Sequence, residues 1–318
     1  MAQSRFFDVQ QLADGIYAAI ADEASGALGN TAFVDLGDRT LLFDTTESPM
    51  IAQALRAAAE QLTGHPVGVV AISHGHSDHW YGNQAFAGLP IVATTRSLDL
   101  MRFFADDTRA DQHDPSAFDA FLAEQRAALD AETDPRRRAN LTKSLARFER
   151  HRADLPTFDL TLPNQTFDGK IVFHGPRRTV ELVALETVHS PGDCYLLLPD
   201  ERIALIGDLG FFDRQPFMPF GDPEAWVQQI EQMLAWDVEV FVPGHGPVGG
   251  KTHLKREQEY ITTIETMVRE AIAAGRSLDD LLKQRLPAPF DAWSIDGTAG
   301  EYNLRFVYER VSGAANKL

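Results

Sequence analysis

Four side chains able to bind a metal crowd into six residues at His74-Gly-His76-Ser-Asp78-His79, directly after the apolar run Val67-Gly-Val-Val-Ala-Ile. Imidazole nitrogen and carboxylate oxygen are the ligands zinc accepts, at about 2.0–2.2 Å in a roughly tetrahedral array. In an extended or loop segment, residues i and i+2 can address one metal, while i+4 and i+5 turn toward a second. Three further polar residues follow apolar stretches and adjoin glycine. They are His189 after Val183-Ala-Leu-Glu-Thr-Val, Asp208 after Ile203-Ala-Leu-Ile-Gly, and His245 after Val240-Phe-Val-Pro-Gly. Each is expected in a turn beyond a strand end, where open α/β sheets place their sites. Alone, any of the three would be a turn residue or a helix cap. Together with the first cluster they make seven candidate ligands, enough for two metals with positions left for water.

The elements that must hold these residues alternate between strand and helix. Gly15–Ala21 has strand character, and Thr31–Leu36 and Thr40–Asp44 flank the turn Gly37-Asp38 as a hairpin. Pro49–Leu62 carries an Ala/Leu face at helical spacing, and Val67–Ile72 has the profile of a buried strand. A short strand at Ile91–Thr94 completes an α/β layered pattern. From Leu98 to about Asp154 the composition shifts to Ala, Arg, Asp and Glu, with Phe118, Leu122, Leu129, Leu141, Leu145 and Phe148 at helical spacing. This predicts a helical insertion, about 98–157, of one or two long helices broken near Asp134-Pro135. Strands return through Thr179–Glu186 and Tyr195–Leu198, with Asp200 and Glu201 in a hairpin turn. Then come a helix at Pro223–Trp236, a strand at Val238–Val242, a helix at Leu254–Ala274 and a helical C-terminal region, about 251–318 in all.

Of the 318 residues, 44% are apolar and 24% charged, the balance of a globular protein with a sizeable core. The formal net charge of −17 opposes broad contact with a phosphate backbone or an anionic membrane. Arg136-Arg137-Arg138 is the one dense basic run and is expected on a solvated helix face. No stretch reaches the ~18 consecutive apolar residues a membrane helix needs. No secretory signal is visible after Met1, and the single cysteine, Cys194, rules out an internal disulfide. The expectation is a cytoplasmic protein with a small-molecule substrate.

In order and context, His74-x-His76-x-Asp78-His79, His189, Asp208 and His245 resemble the full ligand signature of the metallo-β-lactamase superfamily. The resemblance implies a single four-layer αββα sandwich with a binuclear site at one edge of its two sheets. It assigns His74, His76 and His189 to the first metal, Asp78, His79 and His245 to the second, and Asp208 to both. It also implies hydrolysis by a hydroxide held between the ions, with Asp78 and Asp208 as the catalytic carboxylates and Asp78 able to relay a proton. Two divalent ions are expected; the ligand set suits zinc and tolerates iron or manganese. A carboxylate at Asp208 sets the chain apart from lactamases with cysteine there, and Leu209-Gly-Phe-Phe-Asp-Arg lacks the lysine those enzymes use. The likeness is therefore to the bridging-aspartate branches, glyoxalase II and the lactonases, and to a small ester, thioester or lactone as substrate. Where many of those relatives have His-Thr-Pro-Gly-His-Thr, this chain has His189-Ser-Pro-Gly-Asp193-Cys194. Phosphodiesterases or nucleases and di-metal redox proteins of the same superfamily are the alternatives.

The remaining residues have plainer expectations. Ser73, Ser77 and Ser190 support ligands or turns, and Cys194 is a small buried hydrophobe. His65, His113, His151, His174 and His253 are surface or packing histidines. Trp80 and Tyr81 are core residues or substrate-wall residues, with core favoured. Phe211, Phe212, Phe217, Met218 and Phe220 form either an apolar pocket over the site or plain core. The insertion could cap the site or mediate a homodimer.

Overall fold

The computed structural model describes residues 4–293 and 299–313, apart from the side chain of Arg136. Its first sheet has seven strands in sequence order: β1 Phe7–Ala13, β2 Ile16–Ala21, β3 Thr31–Asp35, β4 Thr40–Phe43, β5 Val67–Ala71, β6 Ile91–Thr94 and β7 Gln165–Phe167. Strands β1 to β4 run antiparallel, and β4 to β7 pair in parallel. The second sheet has the order β12-β11-β10-β9-β8. Its strands are β8 Lys170–His174, β9 Thr179–Ala184, β10 Cys194–Leu198, β11 Ile203–Phe211 and β12 Val240–His245, and only β11 and β12 pair in parallel.

Three apolar layers make this a four-layer αββα sandwich, as expected. The middle layer joins Val34, Leu41, Phe43 and Ala71 of the first sheet to Leu182, Leu196, Leu205 and Val242 of the second. On the outer face of the first sheet, Phe33, Leu42 and Val70 pack against Ile51 and Leu55 of α1 (Pro49–Thr63) and beside Trp80 of α2 (Ser77–Trp80). Met101 and Ala105 of α3 (Thr95–His113) join the same layer. On the far side, Ile206 and Phe241 meet α6 (Pro223–Ala235) and α7 (Lys251–Ala273) through Trp226, Ile230, Tyr260 and Ile264. The short α8 (Leu278–Leu282) and α9 (Ala299–Ser312) close this layer with Leu281, Leu304 and Val307. Local chemistry sets the boundaries. Helix α1 begins at Pro49 and ends at Gly64, whose φ of 74° suits only a residue without a side chain to clash.

Three expectations are corrected. The segment predicted as one or two long helices is three: α3, α4 (Ser116–Ala131) and α5 (Pro135–Asp154). The break at Asp134-Pro135 is present, and a second falls at Asp114-Pro115, where proline cannot continue the preceding helix. Strand β1 escaped the sequence reading. Asp208 lies inside β11, and His245 is the last residue of β12, so neither occupies a turn beyond its strand. Of the basic run, Arg137 and Arg138 are exposed, and the Arg136 side chain lies outside the described residues. Among the described residues no helix is long and apolar enough to cross a membrane.

At the end of the sandwich carrying the β3–β4 turn, the buried Asp35 carboxylate accepts from Gly37 N at 2.8 Å, meets His65 Nδ1 at 2.9 Å, and pairs with Arg177 from the second sheet. Arg177 holds its carboxyl below the usual range against the opposing effect of burial. Asp35→Ala is expected to cost about 2 kcal/mol, because three donors lose their acceptor while two of them keep access to water. Urea unfolding of the two proteins checks this.

Candidate metal centre

Strand β5 ends at Ala71, and its continuation delivers Ser73, His74 and His76 before α2 turns Asp78 and His79 the other way. This loop is held rigidly. The Trp80 indole donates to Gly75 O at 3.0 Å, and Cys194 N donates to Ser73 O at 2.8 Å. Trp80 and Tyr81 are core residues, Trp80 fully buried and Tyr81 nearly so. Cys194 is buried as expected, its thiol directed at Ile72 O.

His189 comes from the β9–β10 connection. Here the Asp193 carboxylate accepts from the backbone N–H groups of Val188 (3.0 Å), His189 (2.8 Å) and Ser190 (3.0 Å), and from Ser190 Oγ (2.7 Å). A carboxylate that gathers this many donors clamps the loop, so Asp193 fixes the backbone of the adjacent candidate ligand. The His189 ring rests edge-on against Trp226, with centroids 5.1 Å apart.

Asp208 meets His245 where β11 and β12 run side by side. A side chain at Gly244 would begin 1.8 Å from Asp208 Oδ1, so only glycine lets β12 pass this carboxylate. Asn30, from the first sheet's β2–β3 connection, donates to Pro243 O (3.0 Å) and Gly246 O (2.8 Å) and holds the His245 segment from both sides. The His245 ring stacks on Phe211 at 4.7 Å.

All seven sequence-predicted residues converge. His74, His76, His189 and Asp208 form one group, and Asp78, His79 and His245 another; within each, the potential ligand atoms lie within 4.8 Å of one another. Asp208 faces both. Its Oδ2 lies 3.5 Å from His74 Nε2 and 3.2 Å from His189 Nε2, while its Oδ1 lies 3.1 Å from His79 Nε2 and 3.3 Å from His245 Nε2. Asp78 Oδ2 approaches His79 Nε2 (3.5 Å) and His245 Nε2 (3.3 Å). His65, His151, His174 and His253 join neither group: His65 serves Asp35, His151 stacks on Tyr81, His174 faces Thr179, and His253 accepts from Gly250 N.

Whether these residues suit a cation can be judged from their own geometry. His76 Nδ1 sits 3.1 Å from His74 Nε2 and 2.9 Å from His189 Nε2. Three ring nitrogens converging on one point cannot all be satisfied by one another, since each neutral ring brings one proton and one lone pair. A shared cation resolves the conflict. In the second group, the buried His79 Nε2 and Asp208 Oδ1 have no hydrogen-bond partner. The electrostatics agree. Burial drives His74 well below its usual pKa and His76 to about 3, leaving neutral imidazoles. Burial also opposes charge on His79 and His245, but Asp208 and Asp78 outweigh it, raising His79 well above its ordinary value and His245 to about 9. Despite their own burial, Asp78 and Asp208 are held well below the carboxylate range by the imidazoles they face. Asp78 and Asp208 thus favour positive charge on the side of the centre where His79 and His245 lie.

Sequence reasoning missed the carboxylate that orients the centre. Asp44, fully buried at the end of β4, accepts from Ser73 N and Ser73 Oγ, each at 2.7 Å, and meets His79 Nδ1 at 2.9 Å. Ser73 Oγ in turn lies 2.9 Å from His74 Nδ1, so one carboxylate sets rings in both groups. A polar residue ending an apolar strand was the available signal, but Asp44 resembles any turn aspartate until β4 and β5 are paired. Glu47, three residues on, is buried with Oε1 unpartnered, and burial together with the charge of Asp78 raises it to about 7.

Two outcomes follow. Asp44→Ala leaves His79 Nδ1 and Ser73 without their acceptor and is expected to weaken metal affinity about 10- to 100-fold, as loss of a supporting carboxylate does, measured by chelator competition. Because Asp208 and Asp78 raise His79 and His245, which must be deprotonated to bind a metal, loading near neutral pH should release a measurable number of protons. Calorimetry in buffers of different ionisation enthalpy reads that number, and release near zero would contradict the charge assignment.

A family described as the metallo-beta-lactamase superfamily matches residues 25–245. The chain is 23% identical over 267 residues to a linear primary-alkylsulfatase from Pseudomonas sp. (strain ATCC 19151), covering 76% of this chain and 44% of that protein. It thus spans less than half the length of this curated relative. Two solved structures share the fold at 16% identity and a TM-score of 0.56. One is a metallo-beta-lactamase from Pontibacter korlensis, covering 80% of this chain and 99% of that one. The other is from Erythrobacter litoralis, with beta mercaptoethanol in its active site, covering 82% and 98%.

Proposed function

This chain belongs to the metallo-beta-lactamase superfamily, and from that membership we propose a binuclear metal-dependent hydrolase acting on a small ester, thioester or lactone. The observation that carries the proposal is the division of Asp208, one carboxylate oxygen toward His74 and His189 and the other toward His79 and His245. His74, His76 and His189 would hold one ion, Asp78, His79 and His245 the other, and Asp208 would bridge them. The nitrogen and oxygen donors favour zinc and accept iron or manganese. Ions held by these residues would acidify a bound water toward neutral pH and offset negative charge that develops on the substrate.

The residues themselves do the positioning. Asp44 accepts a hydrogen bond from His79 Nδ1, which directs Nε2 toward the centre. Asp193 fixes the His189 backbone. The Asp78 side chain is 15% exposed, more than those of His79, Asp208 or His245, and so stands where it could accept a proton from the attacking water and pass it to the leaving group. The net charge of −17 favours a small substrate over a nucleic acid.

A second reading comes from the alkylsulfatase relative: the same site would hydrolyse an alkyl sulfate ester. Elemental analysis, paired with a chelator-reversible screen of carboxylic ester, thioester, lactone and alkyl sulfate substrates, separates the readings. About two metals per chain are expected. Asp208→Ala should lose metal and reduce turnover by more than the ~100-fold of a merely supporting residue. No metal uptake from zinc, iron or manganese, together with no chelator-sensitive turnover, would overturn the hydrolase proposal.

A further inference from the structure

Aromatic rings from two separate elements converge on one side of the metal centre. Phe104 of α3, and Phe217 and Phe220 of the segment after β11, place ring centroids 6.1, 5.9 and 5.6 Å from that of His76. Phe104 also meets Phe220 at 5.8 Å. The row continues outward, through Phe103 at 5.5 Å from Phe104 and through Tyr302 at 6.3 Å from Phe217. Of the Phe211–Phe220 group, Phe211, Phe212 and Met218 are fully buried core, whereas Phe217 and Phe220 are only partly covered. Phe103 is 61% exposed and Tyr302 51%, and they are two of the three exposed large hydrophobic residues described. An apolar strip that runs from a candidate ligand to open surface is unfavourable unless something covers it.

The backbone supplies an independent observation. Met218-Pro219-Phe220-Gly221 is a tight turn closed by Gly221 N to Met218 O at 3.0 Å, and Phe220 has a φ of 78°. Proline second and a left-handed third residue are the marks of a type II turn, whose third position calls for glycine or asparagine. A phenylalanine there holds a strained conformation, and such strain clusters at ligand sites. The turn is anchored to the His189 loop, since Asp222 N donates to Val188 O at 2.8 Å. The strained residue therefore has its ring fixed relative to the centre.

We infer that Phe104, Phe217 and Phe220 form a specificity wall for an uncharged apolar substituent of the substrate, an alkyl or aryl group, which extends from the His76 side of the centre toward Phe103. This rests on the hydrolase reading above. The three wall rings offer no hydrogen-bonding group, so the part of the substrate lying on them is apolar. The accessible carboxylate, Asp78, belongs to the other group of ligands, so the polar end of the substrate lies there. The inference gives the insertion a role in selecting the substrate, since α3 supplies Phe103 and Phe104.

The test uses the metal-loaded protein and p-nitrophenyl esters from acetate to octanoate. Calorimetric binding of the corresponding alkanoates provides a readout that needs no turnover. Both kcat/KM and affinity should rise about two- to fourfold per added methylene. Phe104→Ala and Phe220→Asn should flatten that slope, and Phe103→Ala should affect only the longest chains. Asparagine tolerates the left-handed conformation, so Phe220→Asn should keep its melting temperature within about 2 °C. A Phe220 that served only packing would show the reverse, a lower melting temperature with the slope intact, and that result would overturn the inference. A flat series in the wild type with acetate still hydrolysed would also overturn it and leave the hydrolase reading standing. Chain-length-dependent binding without turnover would keep the wall and remove the hydrolase.

Discussion

Three carboxylates, Asp44, Asp78 and Asp208, lie within reach of one cluster of buried imidazoles, which hold Asp78 and Asp208 well below the usual carboxylate range while burial raises Asp44. Buried negative charge is costly unless positive charge accompanies it. Among the described residues no Arg or Lys pairs with these carboxylates: the groups that face them are imidazoles, and burial keeps His74 and His76 well below their usual pKa. The centre therefore has one half whose imidazoles burial keeps neutral and another whose imidazoles face carboxylates, a donor set that suits cations.

Holding that arrangement takes both sheets. Asp44 acts from β4 across to the extension of β5, and Asn30 reaches from the first sheet to the end of β12 in the second. Asp193 acts within its own loop. The contacts are hydrogen bonds from buried side chains to backbone or ring atoms, so each is specific in direction as well as favourable in energy. The close passage of β12 at Gly244 shows how little room remains, and a methyl group there would occupy the space of the Asp208 carboxylate. Stability at the centre comes from the sandwich, whose middle layer is almost wholly aliphatic, and the clamps only fix orientation.

The seven candidate ligands were legible because their density in sequence is local: four of them fall in six residues, and each of the others interrupts an apolar stretch. The layered fold was legible for a related reason, since strand and helix periods alternate along the chain. What the sequence hid was contact across long separations. Asp44 lies 29 residues before Ser73 and 35 before His79, and nothing nearby distinguishes it from a turn residue. Asp193 appeared as a departure from a relative's pattern, yet it supports His189 through backbone groups, which carry no side-chain signature. Asp208 was expected in a turn because Gly207 precedes it. That glycine instead bends β11, with a φ of 51° and a shift in register against β12, and the strand continues to Phe211. In the insertion, proline at position 115 ends one helix as surely as proline at 135 starts another.

The division of labour between layers explains where specificity can vary. Candidate ligands sit within β11, at the end of β12, in the loops after β5 and β9, and on the first turn of α2, all beside strands tied into the sheets by backbone pairing. The aromatic rings beside His76 come from α3 and from an irregular segment between β11 and α6, which the sheets constrain much less. Their partial exposure means that their burial contributes less to folding than that of Phe211 or Phe212. Phe220 lies at the extreme of this range, in a backbone conformation that opposes its own side chain. A residue kept against its local preference, on an element the core does not need, is best accounted for by what it touches. Here that is the His76 ring, with centroids 5.6 Å apart.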